Sequence, residues 1–196
     1  MRDLSSDGLF VVQMSAQTAG TTPGILEVLN LKTGESWGRM QTDGVPWDLS
    51  NGGRWVLAAS AEVHRTIVAW DTRTAEHRAI YSHPSANLYL ASFSKDGRWG
   101  IFTSQEAGRQ PRMWTAPFHG LRNVPVTEWV ELGEGDYPRR SPAGGRIYFT
   151  QLHDGFECIF WLPPLQQPVR SFAQRKRQLI LAYRDAESSC THTLRG

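Results

Sequence analysis

The chain of 196 residues is poor in the features that most often announce a function. It has two cysteines, Cys158 and Cys190, one in an apolar run and the other in a polar stretch, so both are expected to be free rather than part of a disulfide framework. No apolar run reaches the roughly 18 residues that a membrane helix needs, and no membrane insertion is expected. Met1 to Asp7 lack the basic-then-apolar pattern of a signal peptide. The six histidines show no metal-ligand spacing, and Cys190-Thr191-His192 is a lone pair of ligands, so no metal is expected. Calcium and phosphate loop motifs are also missing, and the expectation is of no cofactor. Charge of one sign is scarce. The net charge is +2, but residues 166–196 hold six Lys/Arg against Asp185 and Glu187, leaving 15 basic and 17 acidic residues elsewhere. A slightly acidic body does not read as a nucleic-acid surface. Arg175-Lys176-Arg177 reads as a solvated run.

What the chain does have is aromatic and turn-forming residues: 8 Trp, 18 Gly and 11 Pro, the mixture expected of many short strands joined by tight turns. It also repeats. Leu4-Ser5-Ser6-Asp7-Gly8, Leu49-Ser50-Asn51-Gly52-Gly53, Phe93-Ser94-Lys95-Asp96-Gly97 and Arg140-Ser141-Pro142-Ala143-Gly144 each place a Ser three residues before a Gly, and each is followed by an apolar run. The glycines Gly8, Gly53, Gly97 and Gly144 are 45, 44 and 47 residues apart, the period of one four-stranded propeller blade. Asp-Gly and Gly-Gly supply the positive φ angles of two-residue hairpins, and the Ser hydroxyl can hold the turn through backbone N–H groups. Third strands are expected at Ile25–Leu29, Thr66–Trp70, Arg112–Ala116 and Glu157–Trp161. Fourth strands are expected at Glu35–Arg39, His77–Tyr81, Glu128–Leu132 and Pro168–Phe172. The fold class is thus all-β, a β-propeller of about four four-stranded blades, open or partial. A β-sandwich is the competing reading, since its strands are also evenly spaced. The repeats occupy residues 1–172, with the first one cut short. Residues 173–196 form a basic polar tail, in which Gln178–Tyr183 could add a strand or form a short helix.

At these residues the sequence resembles the TolB-like, WD-related (WD40-like) β-propeller repeats of bacteria. Phe93-Ser94-Lys95-Asp96-Gly97-Arg98-Trp99, running on to Phe102-Thr103-Ser104, is the nearest copy of that motif. Arg140 stands where the aromatic usually precedes Ser, and Ala143 where the turn has Asp. The resemblance implies part of a larger propeller, of the kind found in multidomain sensors and proteins with a Ser/Thr kinase domain. It implies a periplasmic setting, which the N-terminus does not support, so localisation stays open.

Gly34-Glu35-Ser36-Trp37-Gly38 is a literal G-x-S-x-G, but a nucleophile elbow needs a strand-to-helix turn, and this Ser opens an outer strand. No enzyme is expected. Trp55 and Trp99, like Trp70, Trp114 and Trp161, recur at equivalent positions and read as packing residues. The candidate binding residues are instead non-repeated ones on the innermost strands: Trp47, Asp48, Tyr89, Arg139 and Arg140. The expected function is a non-catalytic interaction module for protein or peptide partners, with self-association through open blade edges. The alternative is the gating propeller of a prolyl-oligopeptidase-type serine hydrolase whose catalytic domain lies elsewhere. An inert gene remnant is a third reading.

Overall fold

The structure, a computed structural model, describes residues 2–15, 24–42, 44–60, 64–141, 146–162 and 178–183. Among the described residues, sixteen strands form four antiparallel sheets of four, each built from consecutive segments of chain. The first sheet comprises β1 (Arg2–Leu4), β2 (Phe10–Met14), β3 (Gly24–Asn30) and β4 (Ser36–Thr42). In the second are β5 (Pro46–Leu49), β6 (Trp55–Ala59), β7 (Thr66–Asp71) and β8 (His77–Ser82). The third holds β9 (Asn87–Phe93), β10 (Trp99–Gln105), β11 (Arg112–Pro117) and β12 (Val130–Glu134). β13 (Asp136–Arg140), β14 (Ile147–His153), β15 (Phe156–Leu162) and β16 (Gln178–Tyr183) make the fourth. No α-helix occurs among the described residues, and no helix is long and apolar enough to cross a membrane.

The fourth strand of the last sheet is therefore Gln178–Tyr183, paired with β15 from Trp161↔Gln178 to Glu157↔Tyr183. It lies beyond residue 172, inside the stretch read from sequence as a tail. The Pro168–Phe172 segment expected in that role lies outside the described residues, as do Gly144, Arg175-Lys176-Arg177 and Cys190-Thr191-His192.

The repeated Ser closes the first turn in blades one to three. Phe10, Trp55 and Trp99 donate their backbone N–H groups to Ser5, Ser50 and Ser94 Oγ at 3.0, 2.9 and 3.0 Å. Five residues join β1 to β2, β5 to β6 and β9 to β10, so the turns are longer than the two-residue hairpins expected from Asp-Gly. The extra length is what lets the Ser side chain reach across to the backbone of the residue five positions on.

Alternation along each middle strand gives the sheets two faces to cover, and they cover one another. Phe10, Val12, Leu26 and Val28 of the first sheet pack with Leu49, Val56 and Trp70 of the second. Leu57, Ile67, Ile80 and Tyr81 of the second join Phe93, Phe102 and Trp129 of the third segment. Ile101, Met113 and Leu132 of the third pack with Ile147, Phe149, Cys158 and Phe160 of the fourth. Cys158 is a free thiol, buried in this last layer, and burial pushes its pKa up. Tyr81 locks the middle interface, its hydroxyl donating to the carbonyl of Pro117 at 3.1 Å. Four sheets joined face to face by three cores, with no fourth core from last to first among the described residues, make an open or partial four-bladed β-propeller.

The repeat shows what an end blade lacks. Leu31, Thr72 and Phe118 hold one equivalent position, donating N–H to the carbonyls of Leu9, Arg54 and Arg98. Phe118 packs edge-on against Trp55 of the preceding blade at 5.4 Å, and Thr72 lies against Gly38 of the preceding blade. Leu31 in the first blade is 51% exposed, alongside Leu4 at 51% and Leu9 at 49%.

Gly97 has φ +68° with open space where a Cβ would go, so a side chain there meets backbone strain alone. Gly53 has the same φ, and its Cβ would lie 2.6 Å from the Phe10 ring in the first inter-blade core. Gly97→Val should lower stability by about 1–3 kcal/mol, and exposed Ser36→Ala by less than about 0.5. Gly53→Ala should cost more than Gly97→Ala because it adds a steric clash to the strain. Urea unfolding of the four variants checks the order, and equal midpoints would contradict this repeat register.

Candidate functional site

Counting back from the repeated Ser, the residue two positions earlier is Asp3, Asp48, Ser92 and Arg139 in blades one to four. These equivalent positions on the four innermost strands line one cavity of about 450 Å³, which Arg140 also lines. The cavity therefore sits where the four blades converge. A β-bulge precedes the lining residue in three blades. Register shifts fall between Pro46 and Asp48, opposite Ile101/Thr103 on β9, and between Asp136 and Arg139. Leu90 and Tyr137 take positive φ angles of 56° and 50° in the last two bulges. Bulges re-aim the side chains that follow them, and these strained, non-glycine examples are held by the surrounding sheet.

Asp48 ties two blades together and remains electrically frustrated. Its Oδ2 accepts the backbone N–H of Phe93, in the next blade, at 2.6 Å, and its Oδ1 accepts that of Leu49 at 2.8 Å. Burial nevertheless raises its pKa to about 6, helped by the neighbouring Asp3 charge and opposed by these hydrogen bonds and by Arg140. Burial also raises Asp3, with Arg139 acting in the opposite direction. Arg140 is pulled down by burial and held up by Asp48 and Asp96. Two donors in this region are unspent: Arg140 Nη1 and Ser92 Oγ are buried without a hydrogen-bond partner, and Ser92 is only 4% exposed.

Of the sequence candidates, Asp48, Arg139 and Arg140 are brought together here. Trp47 is not; it packs against the core between blades two and three. Tyr89 lies elsewhere on its innermost strand, its hydroxyl 3.3 Å from Gln105 Oε1, and burial together with Asp136 raises its pKa. Asp136 belongs to a second cavity of about 300 Å³ between blades three and four, with Glu134 and Glu157. Asp3 and Ser92 were missed by sequence reasoning. Aligning the four repeats on their Ser would have found both. Ser36 begins β4 after the turn closed by Gly34 (φ 74°), and no helix follows it. Among the described residues, no group of three or more His, Cys, Asp or Glu could hold a metal ion.

A rim of turn-to-turn hydrogen bonds steadies this end of the arc. Asp7 Oδ2 accepts the Gly52 N–H at 2.8 Å, the Ser6 hydroxyl donates to Asn51 Oδ1, and Asn51 Nδ2 donates to the Lys95 carbonyl at 3.2 Å.

No protein-family profile matches the chain, and no curated protein matches it by sequence. Solved structures do. A TolB-type protein from Agrobacterium tumefaciens superposes with a TM-score of 0.64 at 14% identity, over 92% of this chain and 65% of that one. A prolyl endopeptidase gives 0.58 at 17% identity, over 91% of this chain and 27% of the other. The β-propeller domain of the Trilobed protease from Pyrococcus furiosus, which has an open velcro topology, gives 0.56 at 14% identity, over 91% and 56%. The likeness establishes the β-propeller fold, and this chain spans less than two thirds of the length of each of these structures.

Because the folded-state pKa of Asp48 lies above its unfolded value, the native chain holds that proton more tightly. Its contribution to stability is present below pH ~4 and is lost as pH rises through about 6. Asp48→Asn keeps an oxygen acceptor for Phe93 and removes the charge. It should stabilise the chain by about 1–2 kcal/mol at pH 8 and by far less at pH 4. Denaturant melts at the two pH values check this, and an equal effect at both would contradict the electrostatic account.

Proposed function

We propose that this chain is a non-catalytic β-propeller module that binds protein or peptide partners at the axial cavity, as part of a larger TolB-like protein. One observation carries the reading. Four equivalent positions, which in a purely structural repeat need only fill space, here hold Asp3, Asp48, Ser92 and Arg139 around a cavity with unspent donors. Buried polar groups without partners cost stability, and a ligand that satisfies them recovers it. The placement of Ser36 on an outer strand supports the non-catalytic part of the reading. The prolyl endopeptidase likeness, at 17% identity, is one of fold and does not favour a gating role.

Selection of displayed random peptides on the full chain tests this. Enriched peptides should slow amide hydrogen exchange at Ser92 and Phe93, and their retention should fall at least tenfold on Arg140→Gln. Retention unchanged by that variant would move the binding place away from the cavity.

Exposed Leu9 and Leu31 of the first blade support self-association through that open end. Size-exclusion chromatography with light scattering should show a dimer or larger species. A compact 22.1 kDa monomer with a cooperative melt would overturn this.

A further inference from the structure

The axial cavity is charged at both ends of a dipole, and the dipole is left open. Asp3 and Asp48 come from blades one and two, Arg139 and Arg140 from blade four, and Ser92 stands on blade three. The aspartates and arginines interact across the space, Asp3 with Arg139 and Asp48 with Arg140. Yet these four form no ion pair with one another within 4 Å, although the chain closes such pairs elsewhere, as between Arg54 and Asp71 at 2.9 Å. Arg140 Nη1 and the nine-tenths buried Ser92 Oγ are left as donors without an acceptor. Arg140 also breaks the repeat, since the same position in the other blades holds Leu4, Leu49 and Phe93. Packing has no use for a guanidinium there.

A simple anion in this space would meet Arg140 but face Asp3 and Asp48, and a simple cation would face the arginines. A ligand carrying both charges suits both sides. The volume of about 450 Å³ lies within the range of small-ligand sites. We propose that the axial cavity binds a short zwitterionic peptide with both termini free, its carboxylate on Arg140 and Ser92 and its ammonium on Asp48 and Asp3. This rests on the reading of the cavity as a peptide site and specifies which part of a peptide it recognises: the charged ends rather than an internal segment.

The full chain is titrated with Ala-Ala, N-acetyl-Ala-Ala, Ala-Ala-amide and the doubly blocked dipeptide, at pH 7.5 or thereabouts, by isothermal titration and backbone amide NMR. Ala-Ala should bind and shift the Ser92 and Phe93 amides, and blocking either end should weaken it about tenfold, the scale of one lost charge-assisted hydrogen bond. Asp48→Asn should remove the penalty for acetylation and keep that for amidation, and Arg140→Gln should do the reverse. Unfolding midpoints of both variants establish that they are folded. Equal affinity for the free and doubly blocked dipeptides overturns end recognition. So does failure of the variants to exchange the two penalties. If displayed peptides are retained at the cavity while free and blocked dipeptides behave alike, only this inference fails. If neither class perturbs the cavity amides, the peptide-site reading fails with it.

Discussion

A β-sheet that is apolar on both faces must be sandwiched, and everything else in this molecule follows from that requirement. Val12 and Val28 turn one way and Val11 and Leu29 the other, so the first sheet alone leaves hydrocarbon in water on one side or both. Stacking sheets face to face removes that cost at roughly 25 cal/mol for each Å² of apolar surface buried. Each added blade covers its predecessor and presents a new uncovered face. Three cores among four blades, counted over the described residues, is the arithmetic of an arc. The aromatic content is spent largely on those cores. Tyr81 stacks on Phe102 at 4.8 Å across the middle interface, and Trp129 meets both rings edge-on.

The same stacking brings the innermost strands to a common axis, where hydrocarbon no longer suffices. Backbone approaches backbone there, and side chains after each bulge project into shared space. Asp48 answers part of the need by taking the Phe93 N–H of the next blade. That structural hydrogen bond holds a carboxylate in a place that penalises its charge. One residue thus both fastens neighbouring blades and sets the electrostatics of the cavity. Blade cohesion and the charge of the cavity are linked through it.

The architecture was legible because its signal is repeated. A Ser three residues before a Gly, four times at nearly constant spacing, marks the turn from first to second strand, and the apolar runs after it locate the middle strands. Length was misjudged where a side chain intervenes: the Ser hydroxyl spans to Phe10, Trp55 or Trp99, so five residues connect strands where Asp-Gly suggested two. Of the two forms the sequence offered for Gln178–Tyr183, an added strand or a short helix, the chain takes the strand, β16, at the outer edge of the last sheet. Within the site, Arg140 was visible as a charge where the repeat wants an apolar residue. Trp47 misled because its neighbour Asp48 faces the axis while the bulge sends Trp47 toward the core. Asp3 and Ser92 carry no individual signal. Their meaning comes from register, which only superposing the repeats supplies.

The buried thiol of Cys158 gives the arc an internal clock. It lies between Ile101 and Met113 of the third blade and Phe149 and Phe160 of its own. Burial raises its pKa, so it is short of both exposure and thiolate while the last two blades stay closed. Alkylation at this sulfur must wait for the fourth blade to lift from the third. In a molecule stabilised by neighbour contacts, such an end blade can open without the whole chain unfolding. The rate of modification at Cys158, followed by mass spectrometry of its own peptide, would then time the fraying of one end separately from global melting.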